Sequence, residues 1–466
     1  MIGGGSGGLT VAAAAAAFGV SVVLIEKSKM GGDCLNYGCV PSKALIAAAK
    51  HAHGIAEAPQ FGVTSGDAKV DFGKVNRHVR SVIDAIAPND SVERFTALGV
   101  KVIQAAARFE DANTVVADGT RIKARRFVIA TGSKPFVPPI PGLDTVRYLT
   151  NETLFERTTK PKHLIIIGGG PIGMEMAQAH RRLGSEVTVI EGARALAKDD
   201  PELAAIVVTR LCGEGIQILE AAKVTAVAQR TKTILTVGYE QDGKAGAIDG
   251  TDLLLATGRS AAVAELGLDD AGIRFDARGV IVGPNLRTSN RRVYAIGDAV
   301  AGGLQFTHVA NYHAGLVIQQ ILFRLPAKEN RALIPWVTYC DPELASVGLD
   351  EEQARAKHGT VSVLRWPYGE NDRAQAERRT GGLIKLIADR KGRLLGAGIV
   401  GTGAGEMIHL YALALTKKMA VNDLRSYIAP YPTMSEIGKR AAITYYAPLT
   451  RKPLVRRIIG VLRKFG

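Results

Sequence analysis

Two cysteines five residues apart stand in the stretch Gly31-Gly32-Asp33-Cys34-Leu35-Asn36-Tyr37-Gly38-Cys39-Val40-Pro41-Ser42-Lys43. That spacing can bring their Cα atoms within the few ångströms a disulfide requires. The glycines make a turn, and the residues from Ala44 to Lys50 read as a helix. A helix N-terminus beside a thiol favours the thiolate, the form that reacts. Cross-linking so small a loop removes little chain entropy, so the pair has little value as a structural staple. It suits a disulfide that opens and closes during catalysis, and two unrelated buried thiols are the plain alternative.

Two glycine-rich fingerprints supply the elements that must position this chemistry. The first is Gly3-x-Gly5-x-x-Gly8, followed by an Ala-rich helical segment and an apolar run from Ser21 to Ile25 that ends at Glu26. The second is Gly168-x-Gly170-x-x-Gly173, preceded by the strand-like run Leu164 to Ile167. A helix through Glu175 to Leu183 and a strand Glu186 to Ile190 follow it, ending at Glu191. Glycines permit the tight turn and close approach to a pyrophosphate, the helix N-terminus favours negative phosphates, and the acid can accept from a ribose hydroxyl. One such motif is weak evidence; two in the same strand-helix-strand frame point to two dinucleotide sites. A carboxylate at Glu191 repels an extra ribose phosphate and so favours NAD over NADP, although Arg194 lies close enough in sequence to soften that preference.

Each fingerprint is followed by a matching strand and small-residue turn. These are Phe127-Val128-Ile129-Ala130-Thr131-Gly132 and Leu253-Leu254-Leu255-Ala256-Thr257-Gly258-Arg259. A third, Val293-Tyr294-Ala295-Ile296-Gly297-Asp298-Ala299, carries an acid able to bond a sugar-alcohol chain. Singly these read as core strands, and their order is what informs.

The scale of the chain agrees. Its 466 residues predict about three domains, and 47% hydrophobic with 22% charged residues is ordinary for a globular enzyme. Four cysteines (Cys34, Cys39, Cys212 and Cys340) are too few for a secreted disulfide scaffold and fit a reducing compartment. With no membrane-length apolar run and no secretory signal, the expected location is the cytoplasm. Met1-Ile2 leaves almost no residues for a strand before Gly3, so the reading is that the start was truncated or assigned too late.

The net charge of +15 is partly concentrated at Arg451, Lys452, Arg456, Arg457, Arg463 and Lys464, with no acid among them. Leu454, Ile458, Leu462 and Phe465 recur there at roughly helical spacing, which reads either as a peripheral membrane helix or as one packed on the protein body. No aromatic platform or motif accompanies the charge, so nucleic acid is not an expected partner.

From Gly3 to about Ala447 the chain resembles the flavin-dependent pyridine nucleotide-disulfide oxidoreductases, a family that includes dihydrolipoamide dehydrogenase, glutathione reductase and mercuric reductase. The resemblance implies an α/β fold of two Rossmann-like domains, for FAD and NAD(P), with a C-terminal α+β dimerisation domain and hence a homodimer. The FAD domain would take residues 1–145 and 267–330, the NAD(P) domain 146–266, the dimerisation domain 334–447, and a basic tail 448–466. It assigns FAD to Gly3, Gly5, Gly8, Glu26, Thr131, Gly132, Asp298 and Ala299, and the nicotinamide dinucleotide to Gly168, Gly170, Gly173, Glu191 and Gly258. Cys39 becomes the flavin-facing thiol and Cys34 the one that meets the acceptor, with Lys43 and Glu175 a charge pair near the reactive flavin nitrogen.

One departure matters most. Members that reduce disulfides carry His-Pro-Thr-x-x-Glu near the C-terminus, which enters the other subunit's active site with the histidine as acid-base. Here the stretch reads Pro430-Tyr431-Pro432-Thr433-Met434-Ser435-Glu436, with tyrosine in the histidine's place. A phenol titrates near pH 10 and is a poor base at neutrality, so lipoamide turnover is expected to be weak. Tyrosine there resembles mercuric reductase, and the Cys34/Cys39 dithiol could transiently ligate a soft metal ion. A bare packing role for Tyr431 beside a cis Pro432 is the plain reading. That relative also carries a second cysteine pair near its C-terminus, whereas no cysteine follows Cys340 here. The expected activity is electron transfer from NAD(P)H through flavin and the Cys34–Cys39 pair to a small-molecule or soft-metal acceptor, as in mercuric reductase. Dihydrolipoyl dehydrogenase is the enzyme rival, and a membrane-surface flavoprotein acting mainly through its tail is the rival of another class. His308, His313 and His409 are expected to have structural roles, the first two through their backbone, and Cys212 and Cys340 to be buried.

Overall fold

The computed structural model describes residues 1–64 and 66–465, so the last tail residue, Gly466, lies outside the described part. The chain forms two compact units, one of residues 1–193 with 216–329 and one of residues 194–215 with 330–466.

The first unit repeats one design. Parallel strands buried on both faces read as continuous Val/Ile/Leu runs, which is what the sequence offers at each position below. In the first copy the strands Val293–Ala295, Phe127–Ile129, Val22–Glu26 and Val100–Gln104 are all parallel, with Ile2 bridging Ile129 on one side and Ile25 on the other. The slot for a first strand is thus held by a single residue. Ile2 N–H donates to Val128 O (2.9 Å) and Gly3 N–H to Ile25 O (2.8 Å). The Met1 ammonium donates to Val23 O (2.6 Å), and burial lowers its pKa to about 5.

In the second copy the parallel order is Gln217–Leu219, Glu186–Ile190, His163–Ile167, Asp252–Leu255. Each copy also contains a three-stranded antiparallel meander before its final strand: Ala107–Asp111, Thr114–Ala117 and Thr120–Lys123 in one, Ala222–Gln229, Leu235–Gln241 and Lys244–Gly250 in the other. The duplication is therefore more complete than the glycine motifs alone indicate.

The second unit is built on a five-stranded antiparallel sheet in the order Trp336–Thr338, Glu343–Gly348, Leu394–Gly401, Leu383–Ala388, Ser362–Pro367. Helices Ala404–Thr416 and Glu436–Thr444 bury Ile408, Tyr411, Ile437 and Ala441 with it. Helix Pro201–Gly213, which follows the Glu186–Ile190 strand in sequence, also belongs to this unit and sets Leu203 against Gly398. Its start is anchored by ions. Lys385 Nζ is buried 2.8 Å from Asp200, 2.9 Å from Glu202 and 2.9 Å from Glu351, and Arg365 joins Glu202 and Glu351. A buried ammonium is tolerated only when surrounded by acceptors in this way.

The expectation that Cys212 is buried is wrong. That helix turns Leu203, Ala204, Val207 and Leu211 inward, and Cys212, about 100° round from Leu211, is exposed. Cys340 is buried as expected. The basic tail forms helix Pro453–Leu462, none of whose residues is buried. Among the described residues no helix is long and apolar enough to cross a membrane.

Candidate active site

The cysteine loop is carried against the first glycine motif by left-handed backbone. Gly31 (φ +84°) and Gly32 (φ +60°) adopt conformations that cost an L-residue, and a Cβ on Gly32 would lie 2.8 Å from the Gly5 Cα. Only glycine lets the two loops touch, and Gly5 bridges Gly31 directly. The turn then forms a short helix, Gly32–Asn36, containing Cys34. A second helix, Cys39–Glu57, begins at Cys39 itself rather than at Ala44. Cys39 thus sits in the first turn, where unpaired backbone N–H groups favour an anion.

The two cysteines are thiols within hydrogen-bonding reach of each other, and their environments drive their pKa values apart. The hydrogen bond from Cys34 is the main cause that lowers Cys39 to about 6, aided by the Thr307 hydroxyl and the Lys43 charge against the cost of burial. Thr307 Oγ1 lies 3.3 Å from Cys39 Sγ. Cys34 is pushed in the opposite direction by donating to Cys39, by burial and by the charge on Cys39. The pair is therefore a thiol hydrogen-bonded to a thiolate, with the charge on Cys39.

Lys43, one helical turn beyond Cys39, reaches the second nucleotide motif. Its Nζ is 2.9 Å from Glu175 Oε2, and Glu175 lies buried in helix Pro171–Arg182. The pair expected from two separate sequence positions is formed.

The glycine loops match each other closely. A Cβ on Gly8 would stand 1.9 Å from Gly3 O, and one on Gly173 would stand 2.0 Å from Gly168 O. Gly3 (φ +109°) and Gly168 (φ +111°) press against Ala130 O and Ala256 O in the same way. Glu26 accepts from Gly4 N–H (2.6 Å) and Ser28 N–H (2.7 Å). Glu191 accepts from Gly169 N–H (2.6 Å) and Ala193 N–H (2.8 Å). Both acids thus brace their loops, and each carboxylate retains lone pairs for a ribose hydroxyl. Arg194 donates to the Ala197 (3.3 Å) and Asp199 (3.0 Å) carbonyls.

Polar groups that sequence reasoning did not single out join these parts. Arg259 donates to Ser133 Oγ (2.7 Å) and pairs with Asp33 (3.0 Å), next to Cys34. Ser133 donates to Asp298 Oδ2 (2.6 Å), whose carboxyl is raised by burial. Asn151 donates to Asp33 (2.9 Å). The one available signal was that Arg259 follows Gly258 and Ser133 follows Gly132 in the matched strand turns. Thr307 carried no signal beyond its neighbour His308. His313 acts through its ring and not its backbone, contrary to expectation. Its Nδ1 accepts from Gly297 N–H (3.1 Å), and Nε2 lies 3.0 Å from Glu329, which fixes the turn Gly297–Ala299 that carries Asp298.

These residues fit a bound dinucleotide. The Gly3/Gly8 cradle leaves room for nothing larger than glycine, and Thr131 Oγ1, at the adjoining strand end, is buried without a protein hydrogen-bond partner. A buried hydroxyl without a partner is costly unless a ligand supplies one. Gly132, Gly258 and Ala299 line the matching turns, where Gly258 (φ +111°) and Gly170 have open space beside them.

In the second unit Tyr431 is exposed and precedes a cis Pro432. Its hydroxyl donates to Asp372 Oδ2 (2.7 Å), and that bond holds its pKa above the ordinary phenol range. Glu436 pairs with Arg440, at 2.7 Å.

Known proteins share this architecture. A family profile described as pyridine nucleotide-disulphide oxidoreductase matches residues 1–314, and the dimerisation domain of the same family matches residues 334–442. A mercuric reductase from Bacillus cereus is 37% identical over 96% of this chain and 71% of its own length. A dihydrolipoyl dehydrogenase from Geobacillus stearothermophilus is 35% identical over 95% of this chain and 94% of its own. The solved structure of the HOCl-induced flavoprotein disulfide reductase RclA from Escherichia coli, as a Cu(II) complex, superposes with a TM-score of 0.84 at 28% identity, covering 94% of this chain and 98% of that one. The chain belongs to the pyridine nucleotide-disulphide oxidoreductases, NAD(P)H-dependent FAD enzymes, and carries the dimerisation domain that supports a homodimer.

Proposed function

We infer that this enzyme passes electrons from NADH, through Cys34 and Cys39 as the redox-active pair, to a soft metal ion, as its mercuric reductase relatives are named for doing. The observation that carries this reading is Tyr431, a phenol whose hydroxyl donates to Asp372 Oδ2 (2.7 Å) at the position where a disulfide-reducing site needs a base, together with the free thiol pair Cys34 and Cys39. Two sulfurs so placed, one thiol and one thiolate, can close to a disulfide by releasing two electrons and one proton, or together grip a thiophilic metal ion. Bound FAD supplies the two-electron relay between the nicotinamide and the disulfide.

The residues divide the remaining work. Gly3, Gly5, Gly8, Glu26, Thr131, Gly132, Asp298 and Ala299 hold the flavin dinucleotide. Gly168, Gly170, Gly173, Glu191 and Gly258 hold the nicotinamide dinucleotide, and the Glu191 carboxylate selects NADH by repelling a ribose phosphate. The Lys43–Glu175 pair fixes a positive charge one turn from Cys39. Tyr431 meets the acceptor as a neutral phenol, as its ordinary pKa near 10 dictates, and Asp372 opposes its ionisation further. That phenol does not serve the acid-base step a disulfide substrate needs, whereas reduction of Hg(II) by NADH to the metal, NAD⁺ and one proton needs no such base. The RclA structure, described as a Cu(II) complex, supports a metal acceptor for this architecture.

NADH oxidation should be measured with Hg(II) thiolate, Cu(II), lipoamide and a soluble quinone side by side. Metal-dependent turnover that disappears in Cys34→Ser is the expected result, with lipoamide slower by at least about tenfold. Lipoamide faster than either metal would transfer the enzyme to the dihydrolipoyl dehydrogenases, a reading supported by 35% identity over nearly the whole of one such protein.

The two cradles make a separate prediction. Gly173→Ala brings a Cβ to 2.0 Å from Gly168 O and should raise the KM for NADH at least about tenfold with flavin content unchanged. Gly8→Ala, at 1.9 Å from Gly3 O, should instead yield protein short of flavin. Equal flavin loss in both variants would contradict the separate assignment.

Contact with a membrane surface rests on a different element, the basic helix near the C-terminus.

A further inference from the structure

We propose that helix Pro453–Leu462 docks this enzyme on an anionic phospholipid surface. Six apolar side chains of the helix and its end, Leu454, Ile458, Ile459, Val461, Leu462 and Phe465, are between 49% and 83% exposed. With about 100° of turn per residue they fall on one continuous arc. Arg456, Arg457, Arg463 and Lys464 occupy the opposite arc, and no acid follows Glu436 anywhere in the chain. The chief contacts of the helix are with the turn Ala447–Arg451 immediately before it, so the body of its unit does not cover the apolar arc.

This division suits the boundary between headgroups and acyl chains. The apolar arc enters the outer acyl region while the arginines and lysine stay at the depth of anionic headgroups. At ten residues the helix is about 15 Å long, enough to lie in the interface and too short to span it. A second copy of this chain is a poorer occupant. It carries the same basic arc and the same net charge of +15, so joining two such faces gathers like charges at the rim. The shared dimerisation domain also ends at residue 442, before the helix begins.

The test is flotation of the flavin-loaded enzyme with phosphatidylcholine vesicles, with and without about 30% phosphatidylglycerol. The wild type is expected to float only with the anionic vesicles and to be released at high salt. Ile458→Asp and Leu462→Asp together should lower the bound fraction at least about tenfold, and Arg456→Gln with Arg457→Gln should do so by a smaller factor. NADH oxidation with a soluble acceptor stays unchanged in all of them, which shows that the variants fold. No flotation of the wild type overturns the proposal, as does equal flotation of Ile458→Asp/Leu462→Asp. Sedimentation velocity provides the remaining arm. Dissociation of the Ile458→Asp/Leu462→Asp enzyme into monomers would assign the apolar arc to the partner subunit and also overturn it.

Discussion

Cys39→Ser should abolish NADH-driven reduction of every acceptor, with a loss on the order of 10³-fold or more, as removal of an essential reacting group gives. The expectation rests on where the charge sits. Cys39 begins a helix, accepts a hydrogen bond from the Cys34 thiol and another from Thr307, and feels the Lys43 ammonium; together these lower it to about 6. The thiolate is therefore the main form at neutral pH and is lost as the pH falls through 6. In the reduced wild type, the thiolate absorbance of Cys39 should rise with pH to a plateau, with its midpoint near 6.

The same substitution should change Cys34. Its thiol is raised chiefly because it donates to Cys39, and the Cys39 charge adds to this. A serine in that place carries no charge, so the Cys34 pKa should fall toward about 8.5, the ordinary thiol value. Of the pair, Cys34 alone would then remain to be alkylated in the variant, with a midpoint well above 6. Two thiols in the wild type that both titrate as ordinary cysteines would end the argument, whatever the activity of the mutant. Thr307→Val offers an intermediate case, with the Cys39 midpoint moved upward and the protein otherwise intact.

Tyr431→His should raise lipoamide turnover by about 10²-fold, at the low end of what a positioned acid-base group contributes. The carboxylate needed to orient an imidazole is already present. Asp372 Oδ2 accepts the phenol proton at 2.7 Å and can accept an imidazole N–H in its place. A histidine titrates near pH 6.5, whereas Tyr431 is held above the phenol range by that same carboxylate. The gain should therefore follow a pH profile with a limb near 6 to 7 that the wild type lacks. Metal reduction should fall in the same variant. Tyr431→Phe separates the two effects, because it removes the hydroxyl without adding a base. It should lose metal activity and gain none with lipoamide, and a flat lipoamide response to Tyr431→His would refute the role given to the tyrosine.

The fold was legible because its signals are local. Gly3, Gly8, Gly168 and Gly173 stand where a Cβ would strike a carbonyl oxygen two ångströms away, so residue type and spacing reveal the geometry directly. The buried parallel strands announce themselves as unbroken runs such as Leu164 to Ile167. The three-stranded meanders were not read, because short exposed strands such as Lys244–Gly250, with its alanines and glycines, carry little pattern. Cys212 was misjudged because composition says that cysteine tends to be buried, whereas the helix it sits on chose its inward face from Leu203, Val207 and Leu211.

The active site divides in the same way. That Cys34 and Cys39 form a pair, that two dinucleotides bind, and that a tyrosine replaces the acid-base histidine can all be read along the chain, since each depends on residues within one short loop. Which thiol carries the charge depends in part on groups far away in sequence. Thr307 is 268 positions from Cys39. The Asp372 partner of Tyr431 lies 59 positions away. Electrostatic interactions fall off with distance in space and not along the chain, so folding alone brought Thr307 close enough to add to what Cys34 and Lys43 do to Cys39, and Asp372 close enough to raise Tyr431 above the ordinary phenol range.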